Sequence, residues 1–214
     1  MSLARRVAHH GSRALLAAGL LALSYAAYVV IDAQAYQAIE HRQFERDAVP
    51  HALSEPAAVD GSAIGELRIS RLDLVAVVVQ GDSDAILRRA VGHLADTALP
   101  GEAGNVVLAG HRDTFFRPLK NIRAGDVVTL RTRRGDFHYA VETTRVVPPT
   151  EVQVLESTGG HTLTLITCFP FGFLGAAPDR FVVLARELSG PGQEPGTVVR
   201  SGVSSIDLRQ RSAP

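Results

Sequence analysis

Three residues in this chain of 214 carry groups suited to nucleophilic chemistry, and each falls where a strand-like run meets a polar segment. Cys168 is the only cysteine, so no internal disulfide can consume it. It follows the apolar run Leu163-Thr164-Leu165-Ile166-Thr167 and precedes Phe169-Pro170. Pro170 lacks the N–H that a central strand requires, so the strand is expected to stop there and present its last side chain. His111 follows a second run, Asn105 to Ala109, within Leu108-Ala109-Gly110-His111-Arg112-Asp113-Thr114. Arg180 opens a third, Phe181-Val182-Val183-Leu184-Ala185. An antiparallel return through residues 169–180 would bring Arg180 alongside Cys168. A thiol nucleophile, an imidazole acid–base and a permanent cation form a set able to attack a carbonyl carbon and hold the resulting oxyanion.

Plainer roles compete with these. Free cysteines often serve as small core hydrophobes, and an arginine at a strand start is often one half of a surface ion pair. Thr167, next to the thiol, can offer a hydroxyl or N–H to substrate, yet threonine is also simply a good strand residue. His93, in Val91-Gly92-His93, is the one alternative base, ranked below His111 because only His111 abuts a strand end beside the polar segment. No C-x-x-C or H-x-x-x-H pair occurs, so no metal or other cofactor is called for.

The elements that must position these groups are short. Ile64 to Ile69, Leu74 to Val79, Asn105 to Ala109, Val127 to Thr132, Phe137 to Val147, His161 to Thr167 and Phe181 to Glu187 read as strands separated by Gly, Pro and Asp. Arg133-Arg134-Gly135-Asp136 reads as a hairpin turn. Ser83 to Val91 reads as a helix with Ser83 as its N-cap, and a short turn is expected near Phe116 to Ile122. The pattern predicts an all-β domain, a closed barrel of about eight strands with one or two short helices.

Ala14 to Ile31 is eighteen residues without a charge. As a helix it measures roughly 27 Å, near the hydrocarbon thickness of a bilayer. Arg5, Arg6 and Arg13 precede it and Asp32 follows, which by the positive-inside bias keeps the N-terminus in the cytoplasm and exports the remainder. Ala33-Gln34-Ala35 also resembles a signal-peptide cleavage site, but eighteen apolar residues exceed the usual core of such peptides, which favours a retained anchor. The chain therefore divides into a cytoplasmic 1–13, a transmembrane helix 14–31, a stalk and linker 32–62, a catalytic domain 63–188 and a disordered tail 189–214. Lys plus Arg and Asp plus Glu number 22 each, so no basic excess draws the protein onto nucleic acid.

Thr164-Leu165-Ile166-Thr167-Cys168, with a histidine upstream and an arginine downstream, resembles the T-L-x-T-C signature of the sortases, membrane-anchored cysteine transpeptidases of bacterial envelopes. The likeness runs over residues 64–187 through Ile64-Gly65-Glu66-Leu67-Arg68-Ile69, Val91-Gly92-His93, Leu99-Pro100-Gly101-Glu102 and Gly104-Asn105. Ser70 departs from it, standing where many relatives carry a proline. The compact segment Phe171 to Pro178 resembles class D enzymes or the related ones of Gram-negative bacteria.

The resemblance implies cleavage of an L-P-x-T-G-like sorting motif near the C-terminus of a secreted protein, a thioacyl enzyme, and transfer to an amine of a cell-wall precursor or a pilin lysine. It implies a site of Cys168, His111 and Arg180, with Thr167 beside the substrate. Thiols are only a few per cent ionised at neutral pH, so neighbours must activate the nucleophile. Whether the imidazole pairs with the thiolate as a cation or acts chiefly on the departing amine stays open. Two rivals remain: an anchored β-barrel binding module with an inert, inaccessible cysteine, and a hydrolytic cysteine peptidase. In papain-like peptidases the cysteine precedes its histidine and opens a helix, the reverse of the order here.

Overall fold

Alternation of apolar and polar residues at a period of two puts one face of each strand into a common interior, and here the strands close on themselves so that no edge is left unpaired. The computed structural model describes residues 3–46, 59–156, 159–173 and 175–188. Its strands are β1 (Ala63–Ile69), β2 (Leu74–Gln80), β3 (Val91–His93), β4 (Gly104–Ala109), β5 (Val127–Thr132), β6 (Gly135–Val147), β7 (His161–Phe169) and β8 (Asp179–Glu187). They form a closed barrel in the order β1-β2-β3-β4-β7-β8-β6-β5, and β5 pairs back onto β1. The pairs β2–β3 and β4–β7 are parallel, and the rest are antiparallel.

Leu67 and Ile69 of β1, Val106 and Leu108 of β4, Leu163 and Leu165 of β7, and Val183 and Ala185 of β8 share one buried core. Residues between them face outward. Asn105 stands on that outer side, where its amide accepts from Thr162 and Thr164 and donates to the carbonyls of Val154, Leu155 and Glu156. That network pins the 3-10 turn Val152–Leu155 across β4 and β7.

The expected strands are present within a residue or two at each end, and the hairpin at Arg133-Arg134 joins β5 to β6. Three expectations change. The helix read over Ser83 to Val91 is only α2 (Asp84–Leu87), although Ser83 does cap it, its hydroxyl accepting from Ile86 N at 3.5 Å. Ala90 and Val91 are drawn into the barrel instead, where Val91 pairs with Val78 and starts β3, a strand too short to show a period. β7 runs two residues past the expected Thr167, through Cys168 to Phe169, and Pro170 ends it as expected.

The third change concerns the stalk. One helix, α1 (Leu3–Arg46), runs through the expected anchor and on into the expected stalk, and Leu15–Arg42 is long and apolar enough to cross a membrane. Its second half is not a bare spacer. Tyr36 packs on Val77, Val79 and Ala90. Gln37 accepts from Val77 N at 2.8 Å and donates to Arg89 O at 2.7 Å, Asp32 pairs with Arg89 at 2.7 Å, and His41 meets Glu66. Residues 47–58, most of the expected linker, and the expected tail 189–214 lie outside the described residues.

Candidate active site

β4, β7 and β8 lie side by side, and their register brings three distant stretches of chain to one level. In the antiparallel β7–β8 pair, Cys168 is directly opposite Arg180. In the parallel β4–β7 pair, Ala109 is opposite Ile166, and Gly110 N continues the ladder to Ile166 O at 3.2 Å. β4 ends at Ala109, and His111 lies two residues beyond it, just as Cys168 lies two beyond Ile166. Neighbouring strands are about 4.8 Å apart, so imidazole, thiol and guanidinium arise from adjacent backbones in a row. Cys168 continues the outward series Thr164, Ile166, and is partly exposed. Directly opposed antiparallel residues share a face, so Arg180 is on the same side as the thiol. No hydrogen bond joins Cys168 to His111 among the described residues.

Local sequence explains how each group is held. The His111 carbonyl accepts from Thr114 N at 3.4 Å and Phe116 N at 3.1 Å, which closes a tight turn after β4. Gly110 makes that turn feasible, since a Cβ there would stand 2.9 Å from the ring of the fully buried Phe116. Arg180 donates to Ala177 O at 3.4 Å and Asp179 O at 3.0 Å, and its other N–H groups have no partner among the described residues. A guanidinium braced at one nitrogen keeps donors for an anion.

The Thr167 hydroxyl turns inward. Its side chain is 2 % exposed, alternating inward from Cys168, and it donates to Gly110 O at 2.7 Å. Thr167 therefore ties the residue before His111 to the strand that carries the thiol. His93 is ruled out as the base by its surroundings. It pairs with Leu108, a core-facing residue, and is 1 % exposed. Its Nε2–H donates to Ala98 O at 2.9 Å and its Nδ1 pairs with the Gln80 side-chain amide at 2.9 Å. Burial pulls its pKa below the ordinary imidazole value, against the opposing pull of the Ala98 carbonyl and the Glu102 charge.

Phe169, Phe171 and Phe181 make one aromatic cluster with ring centroids 5.3–6.3 Å apart, and Phe171 and Phe181 rest on the barrel core. They plug the end of the barrel beneath the site, as ordinary packing would. A groove of about 630 Å³ between α1 and the barrel, walled by Val30, Gln37, Glu66, Val77 and Phe115, touches none of the three reactive groups. It is space left beneath a docked helix.

One neighbour escaped the sequence reading. Arg112, beside His111, is 6 % exposed, and its Nη2 donates to Phe173 O at 2.6 Å and Gly175 O at 3.0 Å. Nothing in the local sequence separates it from the exposed charges around it, because its partners are 61 and 63 positions away.

The family model of the Sortase domain matches residues 67–188, more than half of the chain. The chain belongs to the sortase family. Sortase D of Bacillus subtilis (strain 168) is 27% identical over 190 residues, covering 82% of this chain and 96% of the relative. Sortase SrtE1 of Streptomyces coelicolor is 32% identical over 178 residues, covering 71% of this chain and 50% of that longer protein. Among solved structures, a Clostridium perfringens Sortase D5 transpeptidase superimposes with a TM-score of 0.60 at 26% identity, covering 69% of this chain and 95% of that one. Sortase C from Clostridium perfringens SM101 gives 0.57 at 26% identity, over 75% and 88%. Sortases are cysteine transpeptidases of the cell envelope that act on proteins bearing sorting signals and on amine acceptors, and an N-terminal helix able to anchor the domain accords with that setting.

Proposed function

We propose that this sortase cleaves an L-P-x-T-G-like motif near the C-terminus of an exported protein through Cys168, and passes the acyl group to an amine. The single observation supporting the assignment of residues is Cys168 directly opposite Arg180 across β7 and β8, partly exposed, with His111 just past the end of the adjoining β4. In the first half-reaction the Cys168 thiolate attacks the scissile carbonyl carbon and the C–S bond forms. Arg180 balances the oxyanion with the donors its brace leaves over. As the tetrahedral adduct collapses the C–N bond breaks, and His111 gives its proton to the departing amine. In the second half an acceptor amine, from a cell-wall precursor or a pilin lysine, attacks the thioester and loses its proton to His111. The C–S bond breaks, and thiolate and imidazolium are restored. Thr167 serves this geometry by keeping Gly110 on β7.

Residues 63–188 are the catalytic domain in this reading and 14–31 the retained anchor. Residues 1–13 stay in the cytoplasm, while the barrel works on the outer side of the cytoplasmic membrane. The full-length protein in detergent, incubated with a library of sorting-motif peptides, should yield a thioacyl adduct on Cys168 by mass spectrometry. Added amines should raise the yield of amide product over hydrolysis. Cys168→Ala should give neither adduct nor cleavage, and cleavage by that variant would refute the mechanism.

A further inference from the structure

Of the buried charges that the mechanism does not use, Glu66 and Asp126 are paired, whereas Arg112 keeps unmatched donors. Arg112 lies in the interior, yet only one of its nitrogens is well matched: Nη2 donates to the Phe173 and Gly175 carbonyls, at 2.6 and 3.0 Å. Nε and Nη1 are buried without a hydrogen-bond partner, and Nε has only a 3.6 Å charge contact with the exposed Asp113 carboxylate. Burying a guanidinium with unmatched donors opposes folding, so stability does not account for this residue. Position does. Arg112 directly follows His111, and the carbonyls it grips belong to the connection that leaves β7 one residue after Cys168. Arg180 reaches the same connection at Ala177, next to β8. Arg112 thus holds its middle from the imidazole side, and Arg180 its far end from the thiol's strand partner.

We propose that Arg112 is a positioning residue of the transpeptidation site: through Phe173 and Gly175 it fixes the backbone that follows the thiol against the backbone that carries His111. The inference rests on the functional reading above. Lysine is a poor substitute, because a buried ammonium readily loses its proton and lacks the rigid planar fork.

Arg112→Met, close in volume and without charge, separates position from stability. The full-length variant should keep or raise the thermal midpoint of the parent. Its kcat for sorting-peptide turnover should fall at least thirtyfold, and amide hydrogen exchange at Phe173, whose N–H donates to Pro170 O at 3.3 Å, should speed up at least tenfold while β7 and β8 stay protected. Arg112→Lys should recover part of kcat, and it carries the same readouts if the methionine variant does not fold. Turnover within threefold of the parent in the folded variant, or lost turnover with unchanged exchange at the Phe173 amide, overturns the proposal. A parent that forms no thioacyl adduct overturns the functional reading instead.

Discussion

His93 and His111 belong to neighbouring parts of one sheet and are treated in opposite ways. Around His93 the polar ledger closes: both ring nitrogens have partners, Thr97 approaches at 3.2 Å, and the side chain is sealed in the core. Around His111 it does not close. The imidazole and the thiol form no bond with each other, Arg180 keeps donors in hand, and Arg112 is buried with two unmatched nitrogens. A matched buried network rigidifies and stabilises a fold, whereas a site that must receive a peptide carries hydrogen-bonding capacity that only the substrate completes. Two histidines in one sortase-like sequence pattern thus stand in different surroundings, which fits the different work proposed for them.

The comparison can be broken most severely at His111. His111→Ala should lower kcat/KM for sorting peptides by about 10³-fold, the scale of a lost general acid–base group, while leaving the midpoint of urea unfolding nearly unchanged. A stability loss as large as the activity loss would make His111 a structural residue like its counterpart. Next in size, His93→Ala should cost about 2–4 kcal/mol of stability, since it opens a cavity and strands the Ala98 carbonyl and the Gln80 amide. Equilibrium unfolding measures this, and activity per folded molecule should remain within a few-fold.

The smallest effect concerns pH. Folded His93 resists protonation, whereas the unfolded chain takes up a proton near pH ~6.5. The unfolded state therefore binds more protons below that pH, so stability is full above it and declines as pH falls through it, until the lowered folded pKa is reached. The contribution is bounded by about 1.4 kcal/mol per pH unit. Unfolding titrations of parent and His93→Gln between pH 7.5 and 5 should show a shallower slope in the variant, and equal slopes would remove His93 as the source.

Where a feature depends on local chemistry, the chain announced it. The end of β7 at Pro170, the cap at Ser83, the hairpin at Arg133-Arg134 and the strands with clear alternation follow from missing donors, side-chain acceptors and a period of two. The antiparallel return that pairs Cys168 with Arg180 was also within reach, because a connection of only a few residues leaves the chain few other routes. β3 hid because three residues with a central glycine carry no pattern, and the docking of Gln37 and Tyr36 hid because a stalk helix looks the same in solvent.

Local sequence accounts for which residue types were available and where strands begin and stop: a lone thiol, an imidazole and a cation, each at a boundary. It could not say which histidine would be sealed away, that Thr167 would turn inward to Gly110, or that Arg112 would be buried against carbonyls some sixty positions ahead. Those outcomes depend on the parallel pairing of β4 with β7, a long-range contact whose register sets which side chains face the core and which stand level with the nucleophile.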